Sequence, residues 1–475
     1  MNNQLIKNYS YPIFLAFFLS LLYWTYLGLT TNMVIVHDAI GYEWLGDKMR
    51  GGLKEYLSYG QQREPFYPWL IAISMNVALN LHTHYQIIQR FLQLFLLFLT
   101  QIFTFLLCKK LKIRPRLTAL TLLYLGFSPV LVNSALRLFS EIAVYPWVLT
   151  LILIGSHTWQ GLHKTEHSYA HTFLTAALLG LNLTLLTFVK GLFQYVSALF
   201  LLPYLIKAIL HLWRRNFSRF AHYLLVLATS LLMVNCAVTL YKRANLKYNG
   251  NDIFTERRAW ALYGNTARRM EPLSGKKLLT GLSYACGSGF CIHLFGEEEC
   301  RFWSYMKSDD LGVQKRQELQ GRLPIEKAEK ELIRLSMQKA LENPIQYALL
   351  YLVEGIKMFF WEYSQAGLVA YPDWLEALFE LPLVKVGLTT LMAVLSFLGF
   401  LLLLRFLWRR RHLISTDEIY SDQTSSILLN IFFILIPFMA INAFFFCDPR
   451  YSYPMGPIFI ILIAFSLKMM LKRTP

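Results

Sequence analysis

Asp38 is the first acidic residue of the chain, and it follows directly on the first hydrophobic stretch, in the run Val34-Ile35-Val36-His37-Asp38-Ala39-Ile40-Gly41-Tyr42. A carboxylate carried to a membrane surface by a helix can act as a base beside a substrate that lipid brings there. Other ionisable residues recur at the ends of apolar stretches. They are Arg63-Glu64 ahead of Pro65-Phe66-Tyr67-Pro68, Arg137 and Glu141 in one short turn, Lys190 between two stretches, and Asp448-Pro449-Arg450-Tyr451 before the last. Charge so close to hydrocarbon is costly unless it is paired or used. Cations and carboxylates gathered on one face suit a substrate that carries phosphate.

Each of these residues also has a plainer reading. Asp38 can cap the helix that follows it, Glu141 can pair with Arg137 one helical turn earlier, Lys190 can snorkel towards headgroups, and Arg450 can lock against Asp448. Arg257-Arg258 and Arg268-Arg269 read as solvated or lipid-facing charge, with contact to an acidic acceptor as the alternative. His37 reads as a hydrogen-bonding neighbour rather than a metal ligand. Trp44, Tyr56, Tyr59, Phe66, Tyr67 and Trp69 read chiefly as an interfacial aromatic belt, with sugar stacking as the other use of such rings.

The elements that must position these groups are membrane helices. Hydrophobic residues make up 55% of the chain and charged ones 16%, which excludes an ordinary soluble globular protein. A net charge of +17 would point to nucleic acid in a soluble domain, but here the basic residues cluster beside apolar segments, where they report orientation. No nucleic-acid partner is expected. Ten segments approach the ~20 residues that span a bilayer: 12–34, 87–108, 117–135, 139–156, 169–188, 191–211, 220–241, 381–407, 426–446 and 452–471. The stretches 66–81 and 345–361 are apolar but short.

Charge decides how the short stretches are placed. The basic clusters Lys109 to Arg116, Arg214 to Arg219, Arg409-Arg410-Arg411 and Lys472-Arg473 all fall on the side of the N-terminus if both short stretches are interfacial helices. The expectation is an all-α polytopic protein of the plasma (inner) membrane, with about ten transmembrane helices and a range of about 10 to 13. Both termini are then cytoplasmic and the first span is retained rather than cleaved.

Residues 1–241 are expected to form an N-terminal transmembrane module whose first external loop is 37–86, 242–343 a small extracytoplasmic domain, and 344–475 an interfacial helix and the last spans. Residues 38–54 read as an amphipathic helix with Tyr42, Leu45, Met49 and Leu53 on one stripe. Ile325 to Leu341 reads as a second helix, stopped by Asn343-Pro344. Cys286, Cys291, Cys300 and Cys447 fall outside, where disulfides are permitted, although their pairing is open. His293 leaves zinc as the lesser alternative there.

Six runs carry a resemblance in their order along the chain: His37-Asp38-Ala39-Ile40-Gly41-Tyr42; Arg63-Glu64-Pro65-Phe66-Tyr67-Pro68-Trp69-Leu70; Ser128-Pro129-Val130 with Phe139-Ser140-Glu141; Leu186-Thr187-Phe188-Val189-Lys190-Gly191; Asn343-Pro344; and Pro449-Arg450-Tyr451-Ser452-Tyr453-Pro454. This order resembles the GT-C superfamily of integral-membrane glycosyltransferases, in particular the branch of protein O-mannosyltransferases and bacterial lipid A aminoarabinose transferases. The resemblance implies a GT-C-like fold and inverting transfer of a sugar from a polyprenyl-phosphate donor to a lipid, glycan or protein acceptor at the outer leaflet. It implies Asp38 as general base, and Glu141, in one of the matching runs, is the other catalytic candidate. Lys190, Arg137, Arg450 and Arg63 would meet the departing phosphate.

Family members often carry Asp-Glu or Asp-Asp where this chain has Asp38-Ala39, so a second loop carboxylate is left to Glu43, one turn on. No resident cofactor is expected. A divalent metal stays open, although a single carboxylate at the start of the first loop argues against it. The competing reading is a transporter or flippase for lipid-linked saccharides, which should show midplane charges and inverted repeats. Neither is evident in the sequence.

Overall fold

The structure is a computed structural model that describes residues 3–59, 63–163, 168–255, 258–362, 367–410, 422–445 and 449–471. Arg257, Arg411, Cys447, Asp448, Lys472 and Arg473 lie outside the described residues.

The chain opens with the apolar helix α1 (Asn3–Thr30), and the first polar segment folds as α2 (Asp38–Arg50), α3 (Leu53–Ser58) and α4 (Phe66–Asn80). The N-terminal half is completed by α5 (Tyr85–Lys110), α6 (Pro115–Phe127), α7 (Pro129–Leu136), α8 (Glu141–His163), α9 (Tyr169–Val189), α10 (Phe193–Trp213) and α11 (Phe217–Asn249). A small helical unit follows, from α12 (Arg258–Arg269) through α13 (Gly275–Cys286), α14 (Ser288–Phe295), α15 (Glu297–Arg301) and α16 (Tyr305–Gln320) to α17 (Ile325–Glu342). Then α18 (Pro344–Lys357) and α19 (Asp373–Glu380) lead back to α20 (Leu383–Arg409), α21 (Gln423–Phe445) and α22 (Gly456–Leu471).

Among the described residues nine helices are long and apolar enough to cross a membrane, and the pair α6 and α7, bent by 45°, makes a tenth when taken as one span. The protein is thus an all-α multi-pass membrane protein. The bend falls at Ser128-Pro129. Proline supplies no N–H to the previous turn and drives the residue before it out of helical geometry, while the Ser128 hydroxyl recaps α7 by accepting from the Leu131 N–H at 3.3 Å.

The two short stretches do not run the length of the bundle. Helix α4 lies antiparallel to the first turns of α5, since Tyr67 bonds Gln93 and Ser74 bonds Gln89 at 2.7 Å. Tyr85 at the start of α5 donates to Glu43 of α2, so the chain enters and leaves α4 beside the same polar segment. Gly46 allows the close approach of α2 to α4: a Cβ there would stand 2.4 Å from Ile71 Cγ2. Helix α18 stays at that end too, with Gln346 bonded to the Arg269 carbonyl and Tyr351 to the Ala440 carbonyl.

The helix expected over 38–54 is in fact two, broken at Gly51-Gly52. Gly52 takes φ +95°, a backbone open to glycine alone at low cost. In α2 the expected Tyr42, Leu45 and Met49 are buried, together with Ala39, whereas Leu53 is exposed. Helix α17 covers Ile325–Glu342, closely as expected. Among the described residues one small sheet pairs β1 (Asn32–Met33) with β2 (Val369–Ala370), antiparallel, and so ties the segment leading into Asp38 to the chain beyond α18.

One expectation changes in the polar domain, and the open cysteine pairing is decided. Arg268 and Arg269, read as solvated or lipid-facing, are fully buried. Arg268 pairs with Glu354, Glu354 pairs with Lys357 at 3.1 Å, and Arg269 donates to the Ala443 carbonyl of α21. A long helix face hides such pairings from sequence, because Glu354 lies 86 residues from Arg268 and Ala443 174 from Arg269. Of the outer cysteines, Cys291 and Cys300 form a disulfide and Cys286 is a free thiol. That bond also removes both cysteines that flank His293 from any zinc site.

Candidate active site

Asp38 opens α2, and its aim is set by the residue before it. His37 adopts φ 51° and ψ −122°, a left-handed conformation uncommon for a residue with a Cβ. The carboxylate then meets two guanidinium groups: Arg63 Nη2 donates to Oδ1 at 2.7 Å and Arg450 Nη2 to Oδ2 at 3.1 Å. Arg63 is itself fixed. Its carbonyl accepts from the Tyr56 hydroxyl at 2.5 Å, and its guanidinium lies 4.3 Å from the Tyr42 ring centre. Burial works against the Arg63 charge, but Tyr42 and Asp38 outweigh it and raise its pKa.

A second pair stands beside the first. Lys190, at the end of α9, donates from Nζ to Glu141 Oε1 at 2.9 Å, and Glu141 opens α8. Burial opposes the Lys190 charge too, yet Glu141 and Tyr42 raise its pKa above the usual lysine value. The turn after Lys190 is held by Glu64, whose Oε1 accepts from the Gly191 N–H at 2.6 Å. Arg450 sits in a tight 3-10 turn, Pro449–Met455, at the entry to α22.

These groups line one cavity of about 210 Å³. Asp38, Arg63, Glu64, Glu141, Lys190 and Arg450 form its polar wall, and Tyr195, Phe438, Asn442 and Phe445 from α10 and α21 face them. The small helical unit contributes Ala261 to the lining. An apolar groove between α10, α18 and α21 shares Tyr195 and Phe445 with the cavity. A second groove runs along Pro65, Phe66 and Trp69 towards α9 and α11.

Of the six residues expected at the site, the structure thus gathers five: Asp38, Glu141, Lys190, Arg450 and Arg63. Arg137 is placed one layer back, fully buried, with its guanidinium 4.5 Å from the Phe139 ring and 5.3 Å from the Tyr453 ring. Phe139 and not Arg137 lines the cavity. Glu141 forms its ion pair with Lys190, and Arg450 forms its own with Asp38.

Glu64 is the residue that sequence reasoning quoted but did not assign. Its signal was available in the Arg63-Glu64-Pro65 run at the mouth of an apolar stretch. Glu43, the other carboxylate considered, points instead to Tyr85. Among the described residues no three His, Cys, Asp or Glu side chains come together as a metal site would need. The donor set does not fit a divalent ion, because Asp38 and Glu141 are each already turned to cations.

No protein-family model matches the sequence, and no curated protein matches it. Among solved structures the chain is similar to the oligosaccharyltransferase AglB of Archaeoglobus fulgidus, solved in complex with an inhibitory peptide and a dolichol-phosphate, with a TM-score of 0.44 and 11% identity over 98% of this chain and 51% of that one. A second structure, an Archaeoglobus fulgidus oligosaccharyltransferase tethered with an acceptor peptide containing the NVT sequon, matches with a TM-score of 0.42 and 12% identity over 98% and 50%. The chain spans about half the length of either.

Proposed function

We propose that the protein is an inverting glycosyltransferase that takes a sugar from a polyprenyl-phosphate donor and passes it to an acceptor hydroxyl in the cell envelope. The observation that carries this reading is the cavity wall itself, which sets Asp38 between Arg63 and Arg450 and places the Glu141–Lys190 pair beside them, next to an apolar groove. A lipid tail fits the groove and a charged head fits the wall. The cavity is smaller than the 300–1,000 Å³ of a drug-sized ligand site, so it suits one sugar with its phosphate rather than a long glycan.

In this reaction the acceptor oxygen forms a bond to the anomeric carbon as the bond from that carbon to the phosphate oxygen breaks. The acceptor proton passes to Asp38. The electron pair leaves with the polyprenyl phosphate, whose growing negative charge is met by Arg450, Arg63 and Lys190. Arg137, one layer behind, supports Phe139 and the Tyr453 turn. The two oxygens of Asp38 each accept one arginine contact before donor arrives, so an incoming phosphate that takes over one of those contacts raises the basicity of that oxygen towards the acceptor proton.

The cavity is read as extracytoplasmic. The clusters at Lys109 to Arg116, at Arg214 and at Arg409-Arg410 all end helices that start at or near the cavity end, which is the arrangement the positive-inside rule associates with a cytoplasmic far side. Mass spectrometry of envelope glycolipids and glycoproteins from cells with and without the protein tests the reading, followed by transfer from a polyprenyl-phosphate sugar to the identified acceptor in liposomes. Loss of one glycoform, restored by wild type and not by Asp38→Asn, is expected. Movement of the donor between leaflets without transfer would instead mark a flippase.

A further inference from the structure

A second cavity, at the end of the bundle away from the catalytic wall, takes no part in the proposed transfer. Its position follows from Lys468 near the end of α22, whose Nζ bonds the Leu111 carbonyl beyond the end of α5 at 2.6 Å. The pocket holds about 250 Å³ between α20 and α22. Arg405, Phe406, Arg409 and Arg410 line it from α20, and Phe465 and Met469 from α22.

Among the described residues no carboxylate lines it. Arg410 is engaged elsewhere, donating to Asp422 Oδ2 and Ser425 Oγ at 2.6 Å each while its guanidinium covers the Phe406 ring at 4.5 Å. Arg405 and Arg409 are exposed and form no ion pair among the described residues. They stand one turn apart on the same face of α20, a spacing at which like charges repel. Arg405 also lies a turn inside the end of a membrane-spanning helix, where a guanidinium without a counter-ion is costly. Snorkelling would relieve that cost by turning both heads away, yet both line the pocket. The rest of the lining is apolar, with Phe406 of α20 and Phe465 of α22 meeting edge to face at 5.8 Å.

We propose that this pocket binds one anionic phospholipid, its phosphate bridging Arg405 and Arg409 and its first acyl methylenes lying on Phe465 and Met469. A zwitterionic lipid is disfavoured because it would bring an ammonium group to the same two arginines. The site lies in the leaflet opposite the catalytic cavity and stands whether or not the reaction is the one proposed above.

Native mass spectrometry of the purified full chain, titrated with dioleoylphosphatidylglycerol or dioleoylphosphatidylcholine, tests it. Wild type should retain one phosphatidylglycerol per chain at a concentration at least about tenfold below that needed for phosphatidylcholine. The double variant Arg405→Gln with Arg409→Gln should lose that preference, while Arg214→Gln with Arg215→Gln, which changes basic residues at another helix end, should keep it. Met469→Trp fills the pocket without touching charge and should lose the bound lipid as well, so it decides the matter if the arginine variant does not fold. Equal retention in the pocket variants, or equal affinity for the two lipids, would overturn the proposal.

Discussion

Asp38 and Arg450 stand 412 residues apart in sequence and 3.1 Å apart in space, and the contact joins the first polar loop to the turn before the last helix. Arg450 is also a cation proposed to receive the donor phosphate. The two anions therefore compete for one guanidinium. Asp38→Asn should bind a polyprenyl phosphate about three- to tenfold more tightly than wild type, a gain of roughly 1 kcal/mol, while losing about a hundredfold or more in transfer. Arg450→Gln should weaken the same binding. Titration of a fluorescent short-chain polyprenyl phosphate measures both, and equal affinities for Asp38→Asn and wild type would remove the competition.

The Glu141–Lys190 pair is a buried ion pair, with side-chain exposures of 4% and 16%. Removing one partner of such a pair strands the other charge, at a cost of about 3–5 kcal/mol. Glu141→Gln and Lys190→Gln should each lower the unfolding temperature markedly. The double variant should be more stable than the sum of the singles implies. Thermal unfolding in detergent completes the double-mutant cycle, and simple additivity would show that the pair is not coupled.

His37 holds the left-handed backbone that aims Asp38. A residue with a Cβ pays of order 1–3 kcal/mol for a sparsely populated conformation, and glycine pays almost none. His37→Gly should preserve transfer and stability, whereas His37→Val should lose both, because a β-branched side chain tolerates that region least. Parallel loss in the glycine and valine variants would show that the imidazole, and not the turn, is what matters.

The spans were legible because apolar length and basic clusters are one-dimensional properties, and the bend at Ser128-Pro129 blurred only one of them into a single stretch. The polar wall was legible as a set, since Asp38, Arg63, Glu141, Lys190 and Arg450 all sit at helix ends on one side. Its pairing was not. A neighbour four residues away made Arg137 the natural partner of Glu141, yet α8 and α9 bring Lys190 to it instead, and Arg137 turns inward to Phe139 and Tyr453. Glu64 stood in the same run as Arg63, but that both adjacent side chains reach one cavity is visible only in the fold. The buried Arg268–Glu354 contact was beyond reach for the same reason: helix packing, and not spacing along the chain, makes it.

Glu362 follows α18 and is enclosed at the break between α6 and α7, where the Ser128 hydroxyl donates to Oε1 at 2.8 Å, the Val130 N–H to Oε1 at 3.1 Å and the Tyr124 hydroxyl to Oε2 at 2.9 Å. Burial pushes its pKa up from 4.5 to about 7, against the pull of those three donors. An acid whose folded pKa is raised binds its proton more tightly folded than unfolded. Its contribution to stability is therefore full below about pH 4.5 and is lost as pH rises through about 7. The span of that loss is on the order of 3 kcal/mol. Glu362→Gln keeps the shape and cannot titrate, so its unfolding temperature should fall less than that of wild type between those two pH values. The difference between the two curves isolates this carboxyl from every other titrating group, and parallel curves would show that Glu362 does not gain its proton on folding.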